Sequence, residues 1–201
     1  MQLEEPAEAA ARLQAGDLRV GAGYERVRMG ARAEAIELRR RRRIRLGDLL
    51  TLVFENRETL RAAAEEGLRA ERAEEPAAVA AEASRFQALL PPAGGLAASL
   101  YLELADPAEL AGLAGDLEGI ATAVRLEVAG EESGAQVTSS QVTAPAAYLH
   151  FSLSAAQRES WLEGAPVRLS VSHPRYSAAT DLSDEQRAAL ALDLRQGGSS
   201  G

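Results

Sequence analysis

The run Pro91-Pro92-Ala93-Gly94-Gly95 constrains the fold more than any other stretch, because the hydrophobic period changes across it. Tandem prolines cannot continue a helix, and paired glycines favour a turn. On the N-terminal side, apolar residues recur at helical spacing. Leu60, Ala63, Ala64 and Leu68 share one face, while Arg57, Glu58, Arg61, Glu65 and Arg69 take the other, which sets up Arg61–Glu65 and Glu65–Arg69 ion pairs one turn apart. Asn56 is placed as the N-cap, and Glu58 sits in the positive first turn. Pro76 opens a second helix whose buried stripe is Val79, Ala83, Phe86 and Leu90. Ahead of these, Ala31 to Arg43 reads as a helix entering an arginine run, and residues 1–15 read as a short polar helix or frayed arm. Ile44, Leu46, Leu50, Leu52 and Phe54 break the helical period and alternate around Gly47-Asp48, as a two-strand hairpin would.

Beyond the boundary the period is two. Leu96, Ala98, Leu100, Leu102 and Leu104 alternate with Ala97, Ser99, Tyr101 and Glu103, a strand with one buried face. Asp106-Pro107-Ala108-Glu109 has the chemistry of a helix start, with Leu110, Leu113, Ala114 and Leu117 as its apolar stripe. Strands follow at Val124–Val128, Leu149–Leu153 and Val167–Val171, with a polar hairpin or loop across Gly130–Pro145. Ser154-Ala155-Ala156-Gln157 opens a short helix carrying Trp161 and Leu162, and Ser183 to Gln186 opens a terminal helix carrying Leu190 and Leu194. Residues 96–172 therefore read β-α-β-β-α-β, the ferredoxin-like order, with Leu/Val packed under two helices and Tyr101, Glu103, Arg125, Glu127, His150, Ser152, Arg168 and Ser170 on the opposite face. The fold class expected is α+β. Its parts are a polar arm (1–16), a helical layer with a β-hairpin (17–92), a ferredoxin-like sandwich (93–195) and a flexible tail (196–201), with 17–195 forming one structural unit.

Composition removes several kinds of chemistry. The chain has no cysteine, hence no disulfide, thiol nucleophile, Cys-ligated zinc or iron–sulfur cluster, and two histidines are too few for a His-rich metal site. No metal and no cofactor is expected. A net charge of −8 is the wrong sign for a generic binder of nucleic acid or anionic membrane. No run approaches the eighteen apolar residues of a membrane span. The first residues lack the basic and apolar regions of a signal peptide, so a cytoplasmic location is the expectation. All 22 basic residues are arginine, so every cationic site can make planar, bidentate contacts.

Three stretches could carry function. The run Arg39–Arg43, with Arg45 beyond it, could grip phosphates; the competing reading is a solvated helix end balanced by Glu34 and Glu37. Phe54-Glu55-Asn56-Arg57-Glu58-Thr59 sits where a strand enters a helix, a place where amide N–H groups converge on anions, and Arg69, Glu71 and Arg72 add charge to the same helix. The competing reading there is a capped helix with ion pairs. Ser172-His173-Pro174-Arg175-Tyr176 could supply a base at a sheet edge, but no Ser-His-Asp set has recognisable spacing. A ligand- or partner-binding set of Glu55, Asn56, Arg57, Thr59, Arg69, Glu71, Arg72, His173 and Tyr176 follows, with no catalytic residue assigned.

Several of these segments, Tyr24-Glu25-Arg26-Val27-Arg28, the basic run into Arg45-Leu46-Gly47, Phe54 to Thr59, Leu68-Arg69-Ala70-Glu71-Arg72 and His173 to Tyr176, resemble a small uncharacterised bacterial family, the domain of unknown function numbered 3501. The similarity spans residues 17–195. Ala62-Ala63-Ala64-Glu65-Glu66-Gly67 departs from it, standing where the family is richer in Gln and large apolar residues. Members are encoded near rubrerythrin-like di-iron proteins and iron–sulfur oxidoreductases similar to heterodisulfide reductase subunits. The resemblance thus implies a redox-associated accessory protein that binds such a partner. A ligand-binding protein or enzyme built on the Glu-Asn-Arg segment, and nucleic-acid binding through the arginine run, are the two alternatives.

Overall fold

Side-chain oxygens placed ahead of apolar-periodic runs start the helices. Asn56 accepts the Thr59 backbone N–H at 3.0 Å, and the Thr59 hydroxyl accepts the Asn56 N–H at 2.9 Å. Ser154 with Gln157 and Ser183 with Gln186 exchange the same reciprocal pair. Pro76 occupies the first turn of its helix, where its missing N–H costs nothing. The computed structural model describes residues 12–103, 117–140 and 147–196. Among them the helices are α1 (Gly21–Glu25), α2 (Arg28–Arg42), α3 (Arg57–Glu71), α4 (Pro76–Gln87), α5 (Ala155–Leu162) and α6 (Asp184–Gln196). The strands are β1 (Arg43–Leu46), β2 (Leu50–Glu55), β3 (Gly95–Leu102), β4 (Val124–Val128), β5 (Glu131–Gly134), β6 (Gln136–Ser140), β7 (Ala147–Ser152), β8 (Val167–His173) and β9 (Tyr176–Asp181). The helix expected after Asp106 lies outside the described residues for most of its length, as do the first eleven residues and the tail from residue 197. No helix among the described residues is long and apolar enough to cross a membrane.

The chain divides into two units, one of Met1–Arg40 with Glu55–Leu90, the other of Arg41–Phe54 with Pro91–Gly201. The β1–β2 hairpin therefore belongs with the strands beyond the Pro/Gly boundary, not with the helices on either side of it. In the helical unit, Leu60, Ala64 and Leu68 bury one stripe of α3, and α4 packs on it through Val79, Ala83 and Phe86.

The strand-rich unit holds two antiparallel sheets, ordered β1-β2-β3-β7-β6 and β5-β4-β8-β9. This corrects the ferredoxin-like expectation. Of the four strands assigned to one sheet, β3 and β7 pair in the first, while β4 and β8 pair in the second. Alternation states which face of a strand is apolar, not which strand lies beside it or what covers that face. The inward residues of both sheets (Leu52, Phe54, Leu100 and Phe151 from one, Val124, Leu126 and Leu169 from the other) form one apolar cluster, closed by Trp161 of α5 and by Leu190 and Leu194 of α6. The polar stretch after Val128 is also not one hairpin. Ala129 and Gly130, both at positive φ, make a two-residue turn into β5, whereas β6 pairs with β7.

Two polar arrangements, one buried and one half-buried, fasten this unit. Arg42, 2 % exposed, donates through Nη1 and Nη2 to Asp193 at 2.7 and 2.8 Å. Tyr176 clasps the β1–β2 turn: its hydroxyl donates to the Leu46 carbonyl at 2.9 Å and accepts the Leu49 N–H at 3.1 Å. Burial pushes this hydroxyl's pKa up, which keeps its proton in place. Gly47, at φ +71°, lets the hydroxyl come that close, since a Cβ there would collide with it.

Removing one partner of the buried pair leaves the other charge uncompensated, so Asp193→Ala is expected to destabilise the unit by about 3 kcal/mol. The Arg42→Met/Asp193→Leu double replacement should recover most of that loss. Urea unfolding followed by Trp161 fluorescence reads both.

Candidate functional site

The residues singled out in the sequence occupy three separate places. Asn56 and Thr59 are engaged with each other as the cap of α3. Arg57, beside them, holds the N-terminal arm, donating from Nε to the Arg12 carbonyl at 2.8 Å and pairing through Nη2 with Asp17 at 2.7 Å. Glu55, the last residue of β2, is 2 % exposed. Arg69, Glu71 and Arg72 lie at the other end of α3, about 20 Å away along a fifteen-residue helix. His173 and Tyr176 belong to the strand-rich unit. The His173 ring accepts the Arg175 N–H at Nδ1, 3.3 Å, so Nε2 carries the hydrogen that points at the Glu118 carbonyl, 2.9 Å away. Tyr176 is the turn clasp already described.

Intramolecular partners also meet the arginine run. Arg39 donates to the Thr59 carbonyl, Arg40 pairs with Glu37, Arg41 with Glu185 at 3.7 Å, Arg42 with Asp193 and Arg43 with Glu103. Arg45 is exposed on β1.

The segment that departs from the family pattern carries the hub of the helical unit, which the sequence reading did not identify. Glu65 is 1 % exposed and receives the Arg19 backbone N–H at 3.1 Å together with Arg19 Nε and Nη2, each at 2.8 Å. Glu66, the next residue, accepts from the Tyr24 hydroxyl at 2.8 Å and from Arg28 Nε at 2.9 Å. The Arg28 guanidinium, then the Tyr24 hydroxyl, hold the Glu66 carboxyl down at about 2. Burial, reinforced by Glu66, pushes Tyr24 up to about 12. The expected Arg61–Glu65 pair is stretched to 3.8 Å, and Arg69 reaches across to Glu25 at 2.5 Å instead of back along its own helix. Two consecutive glutamates on a helix point about 100° apart, so each can tie a different neighbour; that was the available signal.

Two clefts open beside α3. The smaller, about 180 Å³, runs between α2 and α3, with Ala31, Ala35, Ala62 and Ala63 as walls, Ile36 at its lip and Arg32 and Arg39 among its lining. Beside it α2 exposes large apolar side chains: Met29 is 86 % exposed and Ile36 is 65 % exposed, with Val27 nearby at 41 %. Met29 and Ile36 are seven residues apart, on one face of the helix. Five arginines against two glutamates occupy residues 26–40.

The larger cleft, about 440 Å³, lies between α1 and the C-terminal end of α3 and includes Glu25, Arg69, Arg72 and Glu74. Arg72 caps α3 in the left-handed region, φ 54° and ψ 35°, where glycine is the usual residue. Tyr24–Arg28 and Leu68–Arg72, two segments that carry the family resemblance, thus meet at this cleft.

A family model described as "Protein of unknown function (DUF3501)" matches residues 12–194. The fold is similar to the crystal structure of a novel protein of unknown function from Burkholderia pseudomallei K96243, with TM-score 0.83 and 27 % sequence identity, covering 90 % of this chain and 99 % of that one. No curated protein matches the chain.

Because Glu66 titrates lower in the folded chain than in the unfolded one, its contribution to stability is complete above its unfolded pKa and disappears as pH falls toward about 2. Glu66→Gln should flatten the acid limb of stability between about pH 5 and pH 2, read by far-UV circular dichroism. Relieving the left-handed backbone, Arg72→Gly should stabilise the helical unit by about 1 kcal/mol, raising its melting temperature by about 4–8 °C, read by thermal circular dichroism.

Proposed function

The chain belongs to the DUF3501 family of proteins of unknown function, and on that footing we propose that it is an accessory protein that works by docking onto a protein partner. The observation that carries this reading is the face of α2. Soluble domains seldom leave side chains as large as Met29 and Ile36 so open to water unless another molecule covers them. Their surroundings are basic, in a chain of net charge −8. The occupant that fits is an amphipathic, acidic helix of the partner, its apolar anchor entering the 180 Å³ cleft and its carboxylates meeting Arg32. As that partner we propose an iron–sulfur oxidoreductase or a rubrerythrin-like protein of a cytoplasmic redox system, the setting the family resemblance implies, with the redox chemistry on the partner's side.

The other readings have less support. An enzyme or ligand site on the Glu-Asn-Arg segment would draw on Asn56 and Arg57, which are spent on a helix cap and on holding the arm. Nucleic-acid binding would draw on Arg39–Arg43, whose guanidinium groups are met within the chain.

The test is recovery of partners on the tagged protein from its own cells, native against a Met29→Glu/Ile36→Glu variant. Native protein should recover one of the two redox proteins, and the variant should recover at least about tenfold less at unchanged melting temperature, as loss of a central apolar anchor does. Equal recovery by both, or recovery of neither redox protein, would overturn the reading.

A further inference from the structure

The larger cleft has a charge arrangement of its own, independent of the α2 face. Its four ionic side chains sum to zero: Glu25 and Glu74 against Arg69 and Arg72. Arg69 and Glu25 satisfy each other at 2.5 Å. Among the described residues, the side chains of Arg72 and Glu74 make no hydrogen bond or ion pair, with each other or with anything else. Two opposite charges, two residues apart, stand ready and unmatched on one wall.

Arg72 is held there against an easier alternative. Arg72 sits in a backbone conformation that glycine adopts without penalty. The Glu74 carboxylate lies against the backbone of Gly21, at φ +53°, in space that a Cβ would occupy.

A simple anion entering the cleft would meet Arg72 but also Glu25 and Glu74, and a simple cation would meet the reverse. A ligand carrying both charges is matched at each end. We propose that this cleft binds a zwitterionic amino acid or short peptide, its carboxylate on the Arg72 guanidinium and its α-ammonium on the Glu74 carboxylate. The planar guanidinium can take the carboxylate bidentately. Val20, Leu68 and Ala73 offer apolar surface for the ligand's side chain. A volume of about 440 Å³ lies within the size range of small-molecule sites, roughly 300–1,000 Å³, and leaves room for more than one residue.

The test is isothermal titration of the full chain with L-leucine and with L-leucyl-L-leucine, each also as its N-acetyl and its C-amide form. At least one of the two zwitterions should bind, with blocking of either end weakening it about tenfold. The single-residue and dipeptide arms tell a free amino acid from a peptide. Arg72→Gln should abolish the preference for the free carboxylate while keeping that for the ammonium, and Glu74→Gln should do the opposite. The Met29→Glu/Ile36→Glu variant should bind the same ligand unchanged, which separates this site from the docking face. No binding of either zwitterion at about 10 mM, equal binding of blocked and unblocked forms, or loss of both preferences in either single variant would overturn the proposal.

Discussion

A carboxylate shut away from water is tolerated only where charge and hydrogen bonds replace its hydration, and Glu65 obtains nearly all of that from one residue, Arg19. The arrangement fixes the arm of residues 12–20 along α3, which lets Leu13 and Leu18 become buried. Arg57 grips the same arm further along, at Arg12 and Asp17. One position on, Glu66 ties down α1 and α2 through Tyr24 and Arg28. Two successive side chains of α3 thereby tie down the arm of residues 12–20, α1 and the start of α2. The clefts follow from those tethers. Ionic contacts between long side chains hold helix backbones further apart than interlocked leucines would, and alanines line much of the space left over.

Local chemistry in the sequence was legible wherever one residue decides the matter. Asn56, Pro76, Ser154 and Ser183 start helices where cap chemistry places them, and the strands from Val124, Leu149 and Val167 form with the expected apolar faces, whereas the strand from Leu96 also buries Ala97 and Ser99 on the face expected to be open. Pairing was not legible, because β3 and β4 alternate in the same way but belong to different sheets. Strand β9 escaped notice for a related reason: its half-buried positions, Tyr176, Ala178 and Thr180, alternate with exposed ones but make too weak an apolar series to read. Within the candidate site, Arg69 and Arg72 do line a cleft. Asn56 and Arg57, from the same helix, do not share it, because a helix that looks like one motif in sequence is about 20 Å long in space. Met29 and Ile36 went unread since sequence alone cannot separate an apolar residue that is buried from one left open.

An arginine run in an acidic protein invites a search for phosphate, yet Arg39–Arg43 illustrates a simpler use. The helix α2 ends as strand β1 begins, and five consecutive side chains there radiate in different directions. Each finds an acceptor in its own surroundings, from the Thr59 carbonyl to Asp193 and Glu103. A guanidinium with several donors can satisfy a carbonyl or a carboxylate, whichever the packing presents, which an ammonium on a flexible stem does less well. In a chain whose only basic residue is arginine, a cluster of cations says little about partners. What distinguishes one arginine from another is whether it has been given something to do inside the fold.

By that measure the two units differ. Two non-glycine residues among those described have positive φ, Ala129 and Arg72. Ala129 is accounted for by its hairpin, whose strand twist asks for left-handed turn residues. At Arg72 glycine would cap the helix better, and the long side chain gains no bond among the described residues in return. Backbone strain persists only where something else favours the residue. In the same unit, Met29 and Ile36 carry apolar surface that a folded monomer gains nothing by exposing. The strained Arg72 and the two most exposed large apolar side chains, Met29 and Ile36, all lie on the helices around α3, while Arg42 and Tyr176 in the strand-rich unit are bonded within it. The strand-rich unit thus ties these two side chains to its own backbone and carboxylates, while the helical unit carries costs at Arg72, Met29 and Ile36 that its own contacts do not offset.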